Sequence, residues 1–166
     1  MIPVIQMEKT KNILIVCWGN IHRSVIAEEM LRKILNERSL QDEYAVESRG
    51  IQGAYDIEPA KHPNLRDYPE TYESTREALE QYGIFIPESK RSQPMTSQDL
   101  ASADVILAIG SESYEKIMTN SPITSSKLRL LADIKDPHGS SDQIFLKEVV
   151  DDLHEAVEKF ADEYFV

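Results

Sequence analysis

Residues 13–24 read I-L-I-V-C-W-G-N-I-H-R-S and contain the only cysteine of the chain, Cys17. The apolar, β-branched run before Cys17 predicts a buried strand, and apolar residues after Ser24 recur at helical spacing. A strand, a short loop and a helix N-terminus together form an anion site, because backbone N–H groups and the helix dipole point into the loop. With a thiol at its start, the loop predicts a nucleophile held against a bound oxyanion.

Strands and helices alternate along the chain, which predicts an α/β fold with a parallel sheet and helices on both faces. The predicted strands are Asn12–Val16, Tyr44–Ser48, Asp104–Ile109 and Lys127–Leu131. Helices are predicted at residues 24–38, 71–82, 96–102, 111–119 and 142–165, and a long loop at residues 51–71. The inner face of the last helix is predicted to consist of Ile144, Val149, Leu153, Val157, Phe160 and Ala161.

Length and composition indicate one domain over residues 1–166, with residues 1–10 as a short N-terminal extension. No apolar run is long enough to span a membrane, and we expect neither a membrane partner nor a signal peptide. A single cysteine excludes an intrachain disulfide framework and favours a reducing compartment, so we expect a cytoplasmic protein. The net charge of −11 argues against a nucleic-acid partner.

The loop after Cys17 has the residue types that an anion site needs. Gly19 permits unusual backbone angles, and Asn20 tolerates a left-handed conformation while its amide ties the loop. Arg23 offers a planar fork that matches two phosphate oxygens. Ser24 either caps the following helix or donates a hydrogen bond to the thiolate. Attack of the thiolate on phosphorus would give a phosphocysteine that water then hydrolyses.

This chemistry also needs a general acid for the leaving oxygen and a base for the attacking water. Asp136 is the best candidate, because Pro137 fixes the backbone after it and the pair lies in a loop between a strand and the last helix. Asp133, three residues earlier, is the rival.

The motif C-W-G-N-I-H-R-S, together with Asp136-Pro137, resembles the low-molecular-weight protein tyrosine phosphatases. That family carries C-x-G-N-x-x-R-S after its first strand and an Asp-Pro loop near its C-terminal helix. Weaker similarity extends to E-S-R-G at residues 47–50 and K-R-S-Q-P-M-T at residues 90–96. The resemblance implies a three-layer fold with a four-stranded parallel sheet and hydrolysis of phosphomonoesters, preferably phosphotyrosine, with no metal or other cofactor.

Carried over residue by residue, the resemblance implies that Cys17 is the nucleophile, Arg23 holds phosphate and Asp136 is the general acid. It also implies that Ser48 supports the loop, together with Asn20 and Ser24. The implied substrate-binding residues are Trp18, Gly19, Asn20, Ile21, His22 and Ser24. Trp18 is interpreted as a cleft wall rather than a surface aromatic, and His22 as an exposed loop residue rather than a catalyst.

The sequence departs from the family at several positions. A second cysteine often stands where His22 is, proline where Val25 is, and histidine near Lys90. Met-Asp is common at Ile109 and Gly110, an aromatic residue is common at His138, and the loop at residues 51–71 is longer than expected. These differences concern efficiency and substrate preference more than the thiolate chemistry.

Three functions therefore stay open at this point. The first is a phosphatase acting on a phosphorylated protein or a small phosphate ester. The resemblance favours phosphotyrosine over phosphoarginine, because tyrosine-directed members of the family tend to carry a branched residue where Ile21 stands. The second is an arsenate reductase resolved by an external thiol, since the chain has no further cysteine for a thiol relay. The third is a module that binds a phosphorylated partner without turnover. The sequence does not indicate the oligomeric state.

Overall fold

The computed structural model describes residues 9–166, so nearly all of the extension predicted at residues 1–10 lies outside the described residues. The strands are β1 (Lys11–Cys17), β2 (Tyr44–Gly50), β3 (Val105–Ile109) and β4 (Leu128–Ala132). The helices are α1 (Arg23–Glu37), α2 (Pro69–Glu80), α3 (Ser97–Ser102), α4 (Ser111–Asn120) and α5 (Gln143–Tyr164). Two 3-10 segments lie at Leu65–Asp67 and Pro122–Lys127.

The four strands form one parallel sheet in the order β2-β1-β3-β4. This confirms the predicted α/β fold with a four-stranded parallel sheet. The chain runs outward from β1 to β2 and then returns to place β3 on the other side of β1, so the strand order reverses between β1 and β3. Ligands of open parallel sheets bind at the carboxyl ends of the strands at such a reversal, and Cys17 is the last residue of β1.

The central strand β1 is buried because its side chains alternate between two apolar cores. Ile13, Ile15 and Cys17 face one core, which contains residues of α1, α2 and α5. Leu14 and Val16 face the other, which contains residues of α3 and α4. Burial on both faces explains why the β1 sequence reads as a continuous apolar run, and it fixes the register that delivers Cys17 to the sheet edge.

The loop predicted at residues 51–71 ends before residue 71, because regular structure begins inside the predicted range. Asn64 caps the 3-10 segment by accepting a hydrogen bond from the Arg66 amide at 2.9 Å. Helix α2 then begins at Pro69, two residues before its predicted start, and proline suits the first turn of a helix because that turn needs no amide donor.

The predicted inner face of α5 is wrong at its first residue. Ile144 is 75% exposed, whereas Leu146 and Val150 are buried in its place. The buried positions on α5 are Leu146, Val149, Val150, Leu153, Val157, Phe160 and Ala161. Ile144 lies in the first turn, where Asp142 caps the helix by accepting hydrogen bonds from the amides of Ile144 and Phe145. Within residues 9–166, no helix combines the length and apolar character that crossing a membrane requires.

Truncation at two positions of α5 tests this inner face. Leu153→Ala should lower the free energy of unfolding by about 2–5 kcal/mol, because Leu153 is fully buried and the change leaves a cavity. Ile144→Ala is the matched control and should change it by less than about 0.5 kcal/mol. Urea denaturation of both variants measures the difference, and equal effects would contradict the assignment of the buried face.

Candidate active site

A cavity of about 370 Å³ opens at the carboxyl ends of the strands. Its walls come from two loops: the Cys17 loop (residues 17–23) and the Asp136 loop (residues 133–142). Other segments complete it with Gln52, Leu65, Tyr68, Thr71 and Glu112. The sheet therefore brings together residues that are more than 100 positions apart in the sequence.

The sulfur of Cys17 receives hydrogen bonds inside the Cys17 loop. The amide of Asn20 donates to Sγ at 3.2 Å, and the hydroxyl of Ser24 lies 3.0 Å from Sγ. Ser24 is inside the first turn of α1, and His22 occupies the N-cap position without a side-chain hydrogen bond to the helix. Of the two roles left open for Ser24, the geometry thus favours the contact with sulfur. Donors around a sulfur stabilise its anionic form, which is the nucleophilic one.

Asn20 holds the Cys17 loop in its shape. Its backbone adopts a positive φ of 53°, so Asn20 rather than Gly19 is the left-handed residue of this loop. Its Nδ2 donates to the hydroxyls of Ser24 and Ser48, both at 2.9 Å, and its Oδ1 accepts from the amide of Gln93 at 2.9 Å. Asn20 is fully buried behind the sulfur and off the cavity wall, as is Ser24.

A buried ion pair stands behind Asn20. Ser48 donates to Oε1 of Glu28, and Nζ of Lys90 lies 2.9 Å from the same oxygen. Glu28 is only 1% exposed, so its charge needs the contacts with Ser48 and Lys90, and also the ion pair that it forms with Arg32. A chain of contacts therefore runs from Lys90 through Glu28, Ser48 and Asn20 to Ser24 beside the sulfur.

The last residue of β2 must be small because the Cys17 loop packs directly on it. A Cβ atom on Gly50 would lie 3.0 Å from both Cβ of Asn20 and the carbonyl carbon of Gly19. Gly50 is also paired with Cys17 across the two strands. The segment E-S-R-G thus supplies both a hydroxyl for Asn20 and the space in which the loop sits.

Arg23 is 4% exposed and reaches under the Asp136 loop. One terminal nitrogen donates to the carbonyl of Ile134 at 2.7 Å, and the other lies 3.5 Å from Oδ2 of Asp136. Gly110 makes room for it, because a Cβ there would lie 2.8 Å from Arg23 Nη1 and its φ of +86° disfavours other residues. The departure from the family at Gly110 is therefore compatible with a buried guanidinium.

Asp136 and its rival Asp133 lie in different surroundings. Asp136 lines the cavity beside Cys17, and its Oδ1 accepts a hydrogen bond from the amide of His138 at 3.1 Å. Asp133 is not on this wall, and its Oδ1 accepts from the amide of Ser111 at the start of α4. The geometry thus favours Asp136 as the group that can reach a leaving oxygen.

Aromatic side chains border the cavity. Trp18, Tyr68 and His138 line it, and the rings of Tyr68 and His138 meet edge to face with centroids 6.0 Å apart. Sequence reasoning did not separate Tyr68 from other tyrosines of the chain. Tyr55 instead bonds Ser121, and Tyr72 packs on Arg66. The position of Tyr68 directly before Pro69, the first residue of a helix beside the site, is the signal that could have found it.

The prediction that His22 is exposed is wrong. His22 is 5% exposed, and its Nε2 lies 2.9 Å from the hydroxyl of Thr75 in α2. Burial, and secondly the charge of Arg23, lower the pKa of His22 to about 3. The imidazole is therefore neutral at physiological pH. Within residues 9–166 there is no group of three or more His, Cys, Asp or Glu side chains that could hold a metal ion.

The burial of His22 predicts a specific pH dependence of stability. Between its folded pKa of about 3 and its usual value of 6.5, only the unfolded state binds this proton, so stability falls as pH falls through this range. Between pH 7 and pH 5, the free energy of unfolding should drop by about 1 to 2 kcal/mol more for the wild type than for His22→Gln. Urea denaturation at both pH values measures this, and parallel losses in the two proteins would count against it.

Comparison with known proteins gives the family. Residues 12–164 match the family model described as low molecular weight phosphotyrosine protein phosphatase. The human low molecular weight phosphotyrosine protein phosphatase is 28% identical over 149 residues, covering 83% of this chain and 86% of that protein. The probable low molecular weight protein-tyrosine-phosphatase EpsP of Ralstonia solanacearum is 37% identical over 133 residues, covering 77% and 79%.

Solved structures share the fold. A YwlE mutant from Bacillus subtilis superposes with a TM-score of 0.75 at 22% identity, covering 95% of this chain and 100% of that one. The low molecular weight protein tyrosine phosphatase from T. tengcongensis superposes with a TM-score of 0.74 at 21% identity, covering 93% and 99%. The structural matches establish the fold. The family model spans nearly all of the residues that the structure describes. The chain therefore belongs to the low molecular weight phosphotyrosine protein phosphatase family.

Proposed function

We propose that this protein is a metal-independent phosphatase that hydrolyses phosphomonoesters, preferably phosphotyrosine in proteins, through a phosphocysteine intermediate. The proposal rests mainly on the geometry of the Cys17 loop. The Cys17 sulfur, at the start of the loop, accepts a hydrogen bond from the Asn20 amide, and the loop ends at the buried Arg23. Asp136, 3.5 Å from that arginine, completes the set of groups needed for acid-assisted displacement. The free thiol makes the cytoplasm the compartment proposed for it.

Binding relies on local geometry because the whole protein is acidic. A net charge of −11 repels anions at long range, whereas Arg23 and the amides at the N-terminus of α1 attract them at short range. Arg23 is held on one side by the Ile134 carbonyl, which leaves its fork preorganised for phosphate oxygens. Preorganised charge of this kind stabilises the transition state without reorganisation during the reaction.

In the first chemical step the Cys17 thiolate forms a bond to phosphorus while the bond from phosphorus to the leaving oxygen breaks. Asp136, protonated before the step, gives its proton to that oxygen. Arg23 balances the charge on the phosphoryl oxygens. The products are a neutral alcohol or phenol, the phosphocysteine and the Asp136 carboxylate.

In the second step a water molecule attacks phosphorus from the cavity side. Asp136 now takes a proton from the water, the bond between sulfur and phosphorus breaks, and inorganic phosphate leaves. The sulfur departs as a thiolate, and the hydrogen bonds from Asn20 and Ser24 stabilise it. The enzyme returns to its starting protonation state.

The cavity walls support an aromatic substrate. Trp18, Tyr68 and His138 offer ring faces and edges around an entrance to Cys17, and a phenyl ring between them gains edge or stacking contacts. Ile21 adds an apolar contact on the same wall. A phosphotyrosine side chain has the shape and polarity that this cavity accepts, so a phosphorylated protein is the proposed partner.

Substitution of the reacting groups tests the mechanism. Cys17→Ser should abolish hydrolysis of 4-nitrophenyl phosphate, because the hydroxyl is a far weaker nucleophile. Asp136→Asn should lower kcat/KM for phenyl phosphate by about 10²–10⁴, because that leaving group needs a proton. Asp133→Asn is the matched control and should stay close to the wild type. A pH–rate profile of Asp136→Asn should lack the limb that the general acid produces.

Wild-type turnover by Cys17→Ser would overturn this mechanism. Tight binding of phosphopeptides without turnover in the wild type would favour a binding module. Arsenate-dependent consumption of an external thiol, faster than phosphate release, would favour the reductase.

Substrate preference tests the role of the aromatic walls. Tyr68→Ala should lower kcat/KM for a phosphotyrosine peptide by about two- to tenfold, the size of a lost aromatic contact. The same change should leave a small alkyl phosphate unaffected, and Tyr55→Ala, outside the cavity, is the control. Kinetics with phosphotyrosine, phosphoserine and phosphoarginine peptides give the ranking. A preference for phosphoarginine would reject the substrate assignment and leave the Cys17 chemistry standing.

A further inference from the structure

Two threonines on α2 face the catalytic loops. Thr71 and Thr75 are four residues apart, so they share one face of the helix, and both are buried, at 3% and 0% exposure. Their hydroxyls bond to two different loops rather than to each other. Buried hydroxyls are hydrogen-bonded almost without exception, and these two partners lie at the site.

The first hydroxyl contact reaches the Cys17 loop. The hydroxyl of Thr75 lies 2.9 Å from Nε2 of His22, which is flanked in sequence by Ile21 and Arg23. His22 is neutral and buried, and its other ring nitrogen has no hydrogen-bond partner among residues 9–166. The contact with Thr75 is therefore the polar interaction that orients this ring. His22 itself belongs to the Cys17 loop, whose backbone surrounds the sulfur.

The second hydroxyl contact reaches the Asp136 loop. The hydroxyl of Thr71 donates to the carbonyl of Ser140. The amide of Ser140 in turn donates to the carbonyl of Pro137 at 2.7 Å, which closes the turn that follows Asp136. Thr71 also lines the cavity between the two loops. One rigid helix thus holds both loops through hydroxyls one turn apart.

We propose that Thr71 and Thr75 are positioning residues that make α2 a strut between nucleophile and general acid. Thr75 acts through His22 on the Cys17 loop, and Thr71 acts through Ser140 on the Asp136 loop. The proposal rests on the proposed phosphatase function. It assigns separate effects to the two hydroxyls: Thr75 governs how well the Cys17 loop binds phosphate, and Thr71 governs how well Asp136 protonates a leaving group.

The test compares Thr75→Val with Thr71→Val, because valine keeps the branched shape and removes the hydroxyl. The inhibition constant of inorganic phosphate reports on the Cys17 loop and should rise about two- to tenfold in Thr75→Val, the effect of one lost hydrogen bond. It should stay at the wild-type value in Thr71→Val. The ratio of kcat/KM for 4-nitrophenyl phosphate over phenyl phosphate reports on the acid and should rise by a similar factor in Thr71→Val only.

Thr75→Ser and Thr71→Ser are the matched controls, since each restores a hydroxyl and should restore its own readout. If Thr75→Val does not fold, as judged by circular dichroism and thermal unfolding, Thr75→Ala removes the same hydroxyl with less crowding. The proposal would be rejected if the phosphate inhibition constant and the kcat/KM ratio changed together in each valine variant. It would also be rejected if neither quantity changed in folded protein. Absence of wild-type turnover would instead reject the phosphatase function itself, so the two failures are distinct.

Discussion

The hydrogen bonds of the Asn20 side chain are the constraint on which the site depends. The amides of a loop that binds an anion point towards the anion and cannot bond to carbonyls of the same loop. The left-handed conformation of Asn20 also costs free energy, which contacts with the surroundings must offset. Asn20 offsets it with three side-chain hydrogen bonds, to Ser24, Ser48 and the amide of Gln93. These join three separate segments of the chain and together hold the loop in its shape.

The electrostatics of the site follow from the same architecture. Behind Asn20, the buried charge of Glu28 is balanced by Lys90. In front, Nη2 of Arg23 lies 3.5 Å from Oδ2 of Asp136. The buried charge behind the sulfur is thus paired, and the Arg23 cation beside it faces a carboxyl group that exchanges a proton during the proposed reaction. The changes at Lys90 and Gly110 alter how the charges are supported, since Lys90 retains a cation and Gly110 leaves space for the guanidinium.

Much of the fold and part of the site could be predicted from sequence, for physical reasons. The strand, loop and helix around Cys17 are contiguous, so a local pattern contains the information. His22 could not be placed in this way, because its burial depends on Thr75, 53 residues away in a helix whose approach no local pattern reveals. The exposure of Ile144 was predicted wrongly for a related reason: amphipathic spacing identifies a helix, but the first turn of the helix takes its exposure from the neighbouring loop. The sequence likewise does not show that Gly50 leaves space for Asn20 and Gly110 for Arg23, because both neighbours are distant in the chain.

The enclosure of the Cys17 sulfur has a consequence for redox chemistry. Cys17 is 2% exposed, and the cavity that it lines is also the proposed route for substrate. The chain contains no second thiol, so a sulfenic acid formed at Cys17 has no internal partner with which to condense into a disulfide. A reducing thiol must therefore enter through the same opening as a phosphorylated side chain. Bound phosphate would shield the sulfur from oxidants and equally delay its repair, which links the redox lifetime of the enzyme to the occupancy of its own site.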